Sequence, residues 1–437
     1  MALVVILGGG ESGVGAAMLA KREGFDVFVS DNGKIEEQFK EDLNQHKVRF
    51  EESGHTFEII GKAQIVIKSP GIPGHVSIVK QLRESGIPII SEIEFASRYC
   101  DKTIIGITGS NGKTTTTLLT YHLISSAGRS VGVGGNIGNS FARLLVEEET
   151  KDIYVLEISS FQLDDINTFS PDVSVILNIT ADHLDRYDGD MRKYGAAKLR
   201  IAENQNSKQL LIINGDDTWT DKLIGELKPK AKRISIHADQ YEQTQLTTVS
   251  SEKIETKDSS LRGEHNRFNT LCAIEICMAL GIEKEQIEKG LRTFKNAPHR
   301  LESVAVIDKV EYINDSKATN VESVYYALKA IDTPIVWIAG GKDKGNDYSS
   351  IEELVEQKVK AIICLGVDNE KLLDVFTPLI KVIEETQDIN KALQLAQSYA
   401  HAGEVVMLSP ACASFDLFNN YKHRGELFKE AVFNLLR

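Results

Sequence analysis

The chain has 437 residues, with 50 lysines and arginines against 63 aspartates and glutamates, a formal charge of -13, and 42% hydrophobic and 26% charged residues. This composition is that of a globular protein and excludes a disordered one. The acidic balance excludes a broad electrostatic grip on nucleic acid or an anionic membrane.

At roughly 100–200 residues per domain, two to four domains are expected. The first apolar segment, Leu3–Leu7, runs straight into Gly8-Gly9-Gly10 with no basic stretch before it, and reads as a buried strand, not a secretory leader. No apolar run reaches the roughly 18 residues of a membrane span. The five cysteines form no CxxC pair, so reduced thiols in a cytoplasmic protein are expected. Asp26–Val29 then ends at Ser30-Asp31, and Ile65–Ile67 ends at Lys68-Ser69-Pro70-Gly71. Ile87–Ile90 leads into Glu92, where a first domain boundary is expected.

A second block opens with Thr103–Ile107, continues through Val131–Val133, Ile153–Leu156 and Val173–Leu177, and reaches Leu210–Ile213. The polar stretch 229–260 reads as weak strands. A third block follows Pro298, with strands expected at Val310–Ile313, Ile335–Ala339, Ala361–Leu365 and Glu404–Leu408. Strand, polar loop and amphipathic segment alternate throughout, which predicts α/β architecture with parallel sheets. In such sheets ligands gather beyond the carboxyl ends of the strands.

The strongest signal at a strand end is Gly109-Ser110-Asn111-Gly112-Lys113-Thr114, with Thr115 opening an amphipathic segment behind it. Glycines let backbone amides close around phosphate oxygens, and the new helix adds the positive end of its dipole. Lys113 would reach the β- and γ-phosphates and the Thr114 hydroxyl would bind Mg²⁺. The loop departs from the general pattern in having Ile107 five positions before Gly112; the alternative is a plain tight turn. A nucleoside triphosphate, ATP, is the expected ligand.

The turn Gly8-Gly9-Gly10-Glu11-Ser12-Gly13, with Asp31 ending the next strand, fits GxGxxG. Its residues allow NAD, another diphosphate-linked nucleoside, or close helix–strand packing. Glu157 ends a strand where an acid completes a Mg²⁺ site or merely caps a helix. His183 by itself reads as a capping or surface histidine, and Lys198 by itself as a solvated charge or one partner of an ion pair. Lys317, Thr319, Lys342, Lys344, Ser409 and Ser414 place donors after strands of the third block, which suits a ligand with several carboxylates if they converge.

The motifs occur in a fixed order. Thr108–Thr114 is followed by Gly135-Asn136-Ile137-Gly138, Glu157–Gln162, Asp182-His183-Leu184-Asp185 and Tyr194–Lys198. His265-Asn266 with Asn269, His299-Arg300, Asp315–Asn320 and Ser409–Ser414 complete the series. This order resembles that of the Mur ligases, the ATP-dependent amino-acid-adding enzymes of peptidoglycan synthesis, across almost the whole chain.

The resemblance implies three domains: a Rossmann-like one at 1–92 for a nucleotide sugar, a central P-loop ATPase with a mostly parallel sheet at 93–298, and a Rossmann-like one at 299–437 for the amino acid. It implies that D-glutamate is joined to UDP-N-acetylmuramoyl-L-alanine through an acyl phosphate. Gly10, Ser12, Gly13, Asp31, Ser69 and Gly71 would then hold the UDP substrate, with Asn136 and Ser159 contacting it or ordering the site. ATP would lie on Gly109 to Thr115 with Asn269, Arg300 and Asp315. Lys317, Thr319, Lys344, Ser414 and Tyr421 would take D-glutamate. Thr114, Glu157, His183 and a carbamylated Lys198 would hold two Mg²⁺ ions, with Lys113, Glu157, His183 and Lys198 as the catalytic set. A cytoplasmic monomer with no nucleic-acid or membrane partner is expected. Two departures from the family pattern stand out: Gly-Gly-Gly-Glu at 8–11, and Tyr421 where some relatives carry phenylalanine.

Overall fold

Apolar runs that end in glycine or a polar turn become strands here because both faces of each sheet are covered, so both side-chain sets must be apolar. The chain, seen in a computed structural model, is described over residues 2–147, 149–242, 244–261 and 263–435. Its first sheet comprises β1 (Leu3–Leu7), β2 (Asp26–Ser30), β3 (Arg49–Glu51), β4 (Ile65–Lys68) and β5 (Ile89–Ser91), in the order β3-β2-β1-β4-β5. All its pairings are parallel, which is the Rossmann-like arrangement expected. Val4 and Ile6 enter the core on one face and Val5 and Leu7 the core on the other, as the two-residue period of a strand requires.

The second sheet comprises β6 (Thr103–Thr108), β7 (Val131–Gly135), β8 (Ile153–Glu157), β9 (Val173–Ile176), β10 (Leu210–Asn214) and β11 (Lys232–Ile236). Its order is β11-β10-β9-β6-β8-β7, again wholly parallel. The strand before the glycine loop, β6, is therefore internal, with β8 and β9 beside it. The stretch read as weak strands supplies β11 and a small antiparallel pair, β12 (Gln245–Thr247) and β13 (Lys253–Glu255). Helices Glu11–Arg22 and Phe141–Glu147 pack together so closely that a Cβ on Gly15 would lie 2.1 Å from Ser140 Oγ. Arg143 joins them by donating to Glu11, Asp42 and Glu147.

The third sheet comprises β14 (Glu302–Ile307), β15 (Val310–Asn314), β16 (Ile335–Ala339), β17 (Val359–Leu365), β18 (Ile383–Thr386) and β19 (Val405–Leu408). Its order is β14-β15-β19-β16-β17-β18, parallel except for β14. Strand β19 is inserted between β15 and β16. Three of these strands, β3, β14 and β18, were not expected from the sequence.

Contacts divide the chain into two units, Met1–Ser259 with Phe268–Phe294, and Ser260–Arg267 with Lys295–Arg437. The first holds the first two sheets and the β12–β13 pair; the second holds the third sheet. None of the described helices is long and apolar enough to cross a membrane.

Candidate active site

In the first unit the glycine loop leaves the end of β6 and turns into the helix Lys113–Ser126. Gly112 caps that helix at φ 83, a left-handed conformation that costs other residues about 1–2 kcal/mol. A Cβ there would also stand 2.6 Å from Asn269 Oδ1, so the buried Asn269 lies directly against the loop. The loop is held open from its far side. Asn111 donates its amide to Asn178 Oδ1 at 2.8 Å and accepts from Asn178 Nδ2 at 3.1 Å. Ser110 Oγ donates to Thr180 O at 2.9 Å and lies 3.1 Å from the Tyr194 hydroxyl.

Two lysines converge on this loop. Lys113 Nζ donates to Gly109 O at 2.7 Å and Ser110 O at 2.8 Å. Lys198 Nζ, on the helix Met191–Leu199, donates to the same Gly109 O at 2.8 Å and lies 4.4 Å from the centre of the Tyr194 ring. Lys198 is buried at 2% exposure, so it is not a solvated charge. Burial first, and the neighbouring Lys113 charge second, hold its ammonium well below the usual lysine range. Two lysine Nζ groups donating to the carbonyls of one glycine loop place donors where anionic phosphate can be met.

Glu157, at the end of β8, is buried at 3% exposure. Its Oε1 accepts from Asn136 Nδ2 at 2.8 Å, and the Asn136 amide donates to Glu157 O at 2.8 Å. Its Oε2 is buried without a partner, as is Thr108 Oγ1 at the end of the adjoining β6. Unpaired buried oxygens are costly, and they fit a hard cation that takes oxygen ligands and keeps several waters. No group of three or more histidine, cysteine or acidic side chains is gathered as a metal site among the described residues. The residues present thus fit Mg²⁺ held by one carboxylate, one hydroxyl and a ligand's phosphates. His183 has a left-handed backbone (φ 49) and an exposed ring that lies edge-on to Phe161 at 5.3 Å with its Nε2 3.5 Å from Asp182 Oδ2. Ser159 caps the short helix Ser160–Leu163 in a reciprocal pairing with Gln162.

At the amino-terminal sheet, Asp31 accepts from the Gly9 amide at 2.6 Å and the Gly33 amide at 2.7 Å, so this carboxylate orders two turns. Gly13 allows the helix Glu11–Arg22 to start tightly, since a Cβ there would lie 1.9 Å from Gly8 O. Around Gly10 no atom lies within 4 Å of an added Cβ. Ser69 Oγ, buried without a partner, borders this cradle beside Gly8.

In the second unit Asp315 follows β15 and is buried. Ser409 Oγ donates to its Oδ2 at 2.8 Å and the Leu301 amide to its Oδ1 at 3.1 Å. Burial nevertheless pushes its carboxyl up to about 7, against the pull of Arg300 and Arg424. Lys317 Nζ stands 4.0 Å over the centre of the Tyr421 ring, and the Thr319 amide donates to Lys317 O at 2.9 Å. Tyr421 opens the helix Tyr421–Asn434, and Ser414 is buried in the loop after β19. Arg424, buried at 1% exposure, fixes this neighbourhood by donating to Ser316 Oγ and O and to Cys412 O. Burial lowers its guanidinium to about 10, against the pull of Asp416 and Asp315. Lys344 lies on the exposed loop after β16.

Three domain models match in sequence order: the MurD N-terminal domain over residues 4–78, the Mur ligase middle domain over 107–277, and the Mur ligase glutamate ligase domain over 299–412. The chain belongs to the Mur ligase family. It is an ATP-dependent ligase of the peptidoglycan pathway, built on the three-domain Mur ligase architecture. Among its relatives, the UDP-N-acetylmuramoylalanine--D-glutamate ligase of Christiangramia forsetii is 47% identical over 99% of both chains. That of Bacteroides fragilis is 48% identical over 99% of both. Solved Mur ligases share the fold: MurC of Thermotoga maritima at a TM-score of 0.61 and 17% identity over 99% of both chains, and MurF of the same organism, in complex with ADP, at 0.63 and 15% over 93% of this chain and 95% of that one.

Within this Mur ligase, the residues expected to hold ATP fall into two sets. Gly109 to Thr115 and Asn269 lie in the first unit, Arg300 and Asp315 in the second. Lys113, Lys198 and the glycine loop meet directly, and Asn136 meets Glu157, whereas His183 is placed by the aromatic ring of Phe161. Sequence reasoning missed Asn178 and Thr180, which shape the loop from the end of β9, and Arg424, which ties Ser316 to Cys412 in the second unit. An asparagine just beyond β9 was the one available signal for the first.

Proposed function

We propose that this ligase joins D-glutamate to UDP-N-acetylmuramoyl-L-alanine with ATP, through an acyl phosphate, as a monomer in the bacterial cytoplasm and without nucleic-acid or membrane partners. The observation that carries the reading is the phosphate loop at the end of an internal parallel strand, with two lysines on one carbonyl and an unpaired buried carboxylate oxygen beside it. A substrate carboxylate and ATP repel each other, so charge must be neutralised before they react. Lys113 would leave its loop carbonyls for the β- and γ-phosphates. Thr114 and Glu157 would hold one Mg²⁺ there, and His183 with a carbamylated Lys198 a second; these ions supply charge neutralisation at the transferred phosphoryl group. Burial favours the free amine of Lys198; an amine whose nitrogen bonds to the carbon of carbon dioxide gives up a proton to solvent, and the resulting carbamate would offer a metal anionic oxygens instead of a repelling ammonium.

In the same reading, residues 1–92 bind the UDP portion through Gly10, Ser12, Gly13, Asp31, Ser69 and Gly71, and Asn136 and Ser159 order the substrate's reacting end. Residues 93–298 carry the ATP site, completed by Arg300 and Asp315 from residues 299–437. There Lys317, Thr319, Lys344, Ser414 and Tyr421 take D-glutamate, two lysines suiting its two carboxylates. Phosphate release measured with UDP-N-acetylmuramoyl-L-alanine across D- and L-amino acids tests the reading. Release should require D-glutamate, and a different amino acid in that role would overturn it. Lys113→Ala should lower turnover by about 10²–10³-fold, and near-normal turnover would remove the phosphate-loop assignment. Activity of Lys198→Ala should return with short carboxylic acids added; no recovery would count against the carbamate.

A further inference from the structure

The turn Ser69–Ile72 follows β4 and lies against the glycine turn after β1, where a Cβ on Gly8 would meet Ser69 Oγ at 2.6 Å. Three successive carbonyls of this turn meet one side chain. Arg186 donates through Nη2 to Pro70 O at 2.8 Å and Ile72 O at 3.0 Å, and through Nη1 to Gly71 O at 3.2 Å. A guanidinium is a rigid planar fork of five donors, the side chain suited to serving three oxygens in one plane. Across a trans peptide the C=O and N–H point in opposite directions. Holding the Pro70 carbonyl on Arg186 therefore turns the Gly71 amide toward the opposite face of the turn.

The same guanidinium lies 4.3 Å from the centre of the Phe161 ring. Phe161 meets His183 edge-on at 5.3 Å and stacks on Tyr187 at 6.1 Å. The Arg186 amide donates to His183 O at 3.0 Å, so arginine and histidine are joined both through backbone and through one ring. The chain of contact continues from Tyr187 to Tyr194, whose hydroxyl adjoins Ser110 of the phosphate loop.

Buried Lys68 also donates to Ile72 O, at 2.9 Å, from within the sheet. We propose that Arg186 is a positioning residue that holds the Pro70–Ile72 carbonyls of this turn, as a seat for the UDP substrate, in register with His183, so that substrate binding and phosphoryl transfer share one guanidinium. The inference rests on the function proposed above. A lysine keeps the charge, but its compact ammonium cannot span three carbonyls while lying flat on a ring.

Arg186→Lys and Arg186→Ala, made in the full chain, are compared with the unaltered enzyme in three ways. These are calorimetric titration with UDP-N-acetylmuramoylalanine in the absence of ATP, KM and kcat in phosphate release, and melting temperature. Both variants should lose about tenfold or more in affinity for the UDP substrate and lose kcat, with KM for ATP moving less than about twofold. Millimolar guanidinium should restore part of the lost affinity to the alanine variant and none to the lysine variant. Affinity for the UDP substrate within twofold of the unaltered enzyme, in a folded Arg186→Lys, overturns the inference, and so does an equal loss toward ATP. If Arg186→Ala does not fold, Arg186→Lys decides by the same two outcomes. An unaltered enzyme that fails to bind UDP-N-acetylmuramoylalanine overturns the function itself, and is seen before any variant is made.

Discussion

Two buried carboxyls, one in each unit, tie stability to pH in a definite direction. Burial pushes Glu92 up to about 7, against the Ala142 amide that favours its anion, and pushes Asp315 up to about 7 as well. Each folded carboxyl keeps a proton that the unfolded chain gives up near pH 4. The stability each contributes is therefore full below about pH 4 and is lost as pH rises toward 7. Glu92→Gln retains an oxygen for the Ala142 amide and nothing to ionise. Thermal unfolding across that range should show the variant free of about 1–3 kcal/mol of pH-dependent loss seen in the unaltered protein; identical pH profiles would mean Glu92 holds no proton. At this scale the site was unevenly legible. Lys113 and Glu157 stood out because a glycine loop and a strand end announce them. Arg186 and Arg424 did not, because most of their hydrogen-bond partners are backbone carbonyls. Every residue offers a carbonyl, so no complementary side chain marks the pairing in the sequence.

Among the elements, the turn from β1 into the helix Glu11–Arg22 separates glycines that the fold needs from one that leaves room. Gly13→Ala would drive a Cβ to 1.9 Å from Gly8 O, so it should cost about 1–3 kcal/mol or more of stability. Gly10→Ala meets nothing within 4 Å and should leave the melting temperature near its original value. Its methyl group would instead occupy the open cradle, and calorimetry should find weaker binding of UDP-N-acetylmuramoylalanine. Unchanged binding in Gly10→Ala would place the substrate elsewhere. The strands follow the same logic of space. Leu3–Leu7 and Ile335–Ala339 were legible to the residue because they lie inside sheets and need apolar side chains on both faces. The strands that were missed, β3, β14 and β18, are all sheet edges. An edge strand is covered on fewer sides, so Arg49-Phe50-Glu51 and Ile383-Glu384-Glu385-Thr386 can keep charges that hide the pattern.

For the whole molecule, the net charge of -13 opposes two anionic substrates, so their binding has to come from a few placed donors and helix ends. With a core of its own in each unit, calorimetric unfolding should resolve two transitions. UDP-N-acetylmuramoylalanine at about 100 times its Kd should raise the stability of the first unit by about 2.7 kcal/mol and leave the other transition in place. A shift confined to the second unit would contradict the assignment of the nucleotide sugar to the first sheet. The position of β19 between β15 and β16 reaches beyond the finished protein. The ribosome delivers β14 to β18 well before Val405, so the nascent sheet waits as two halves, each with an unpaired inner edge. Such edges recruit other strands. A translation stall ahead of Val405 would thus release an adhesive fragment, and the pace of synthesis between β18 and β19 becomes part of how this sheet is completed.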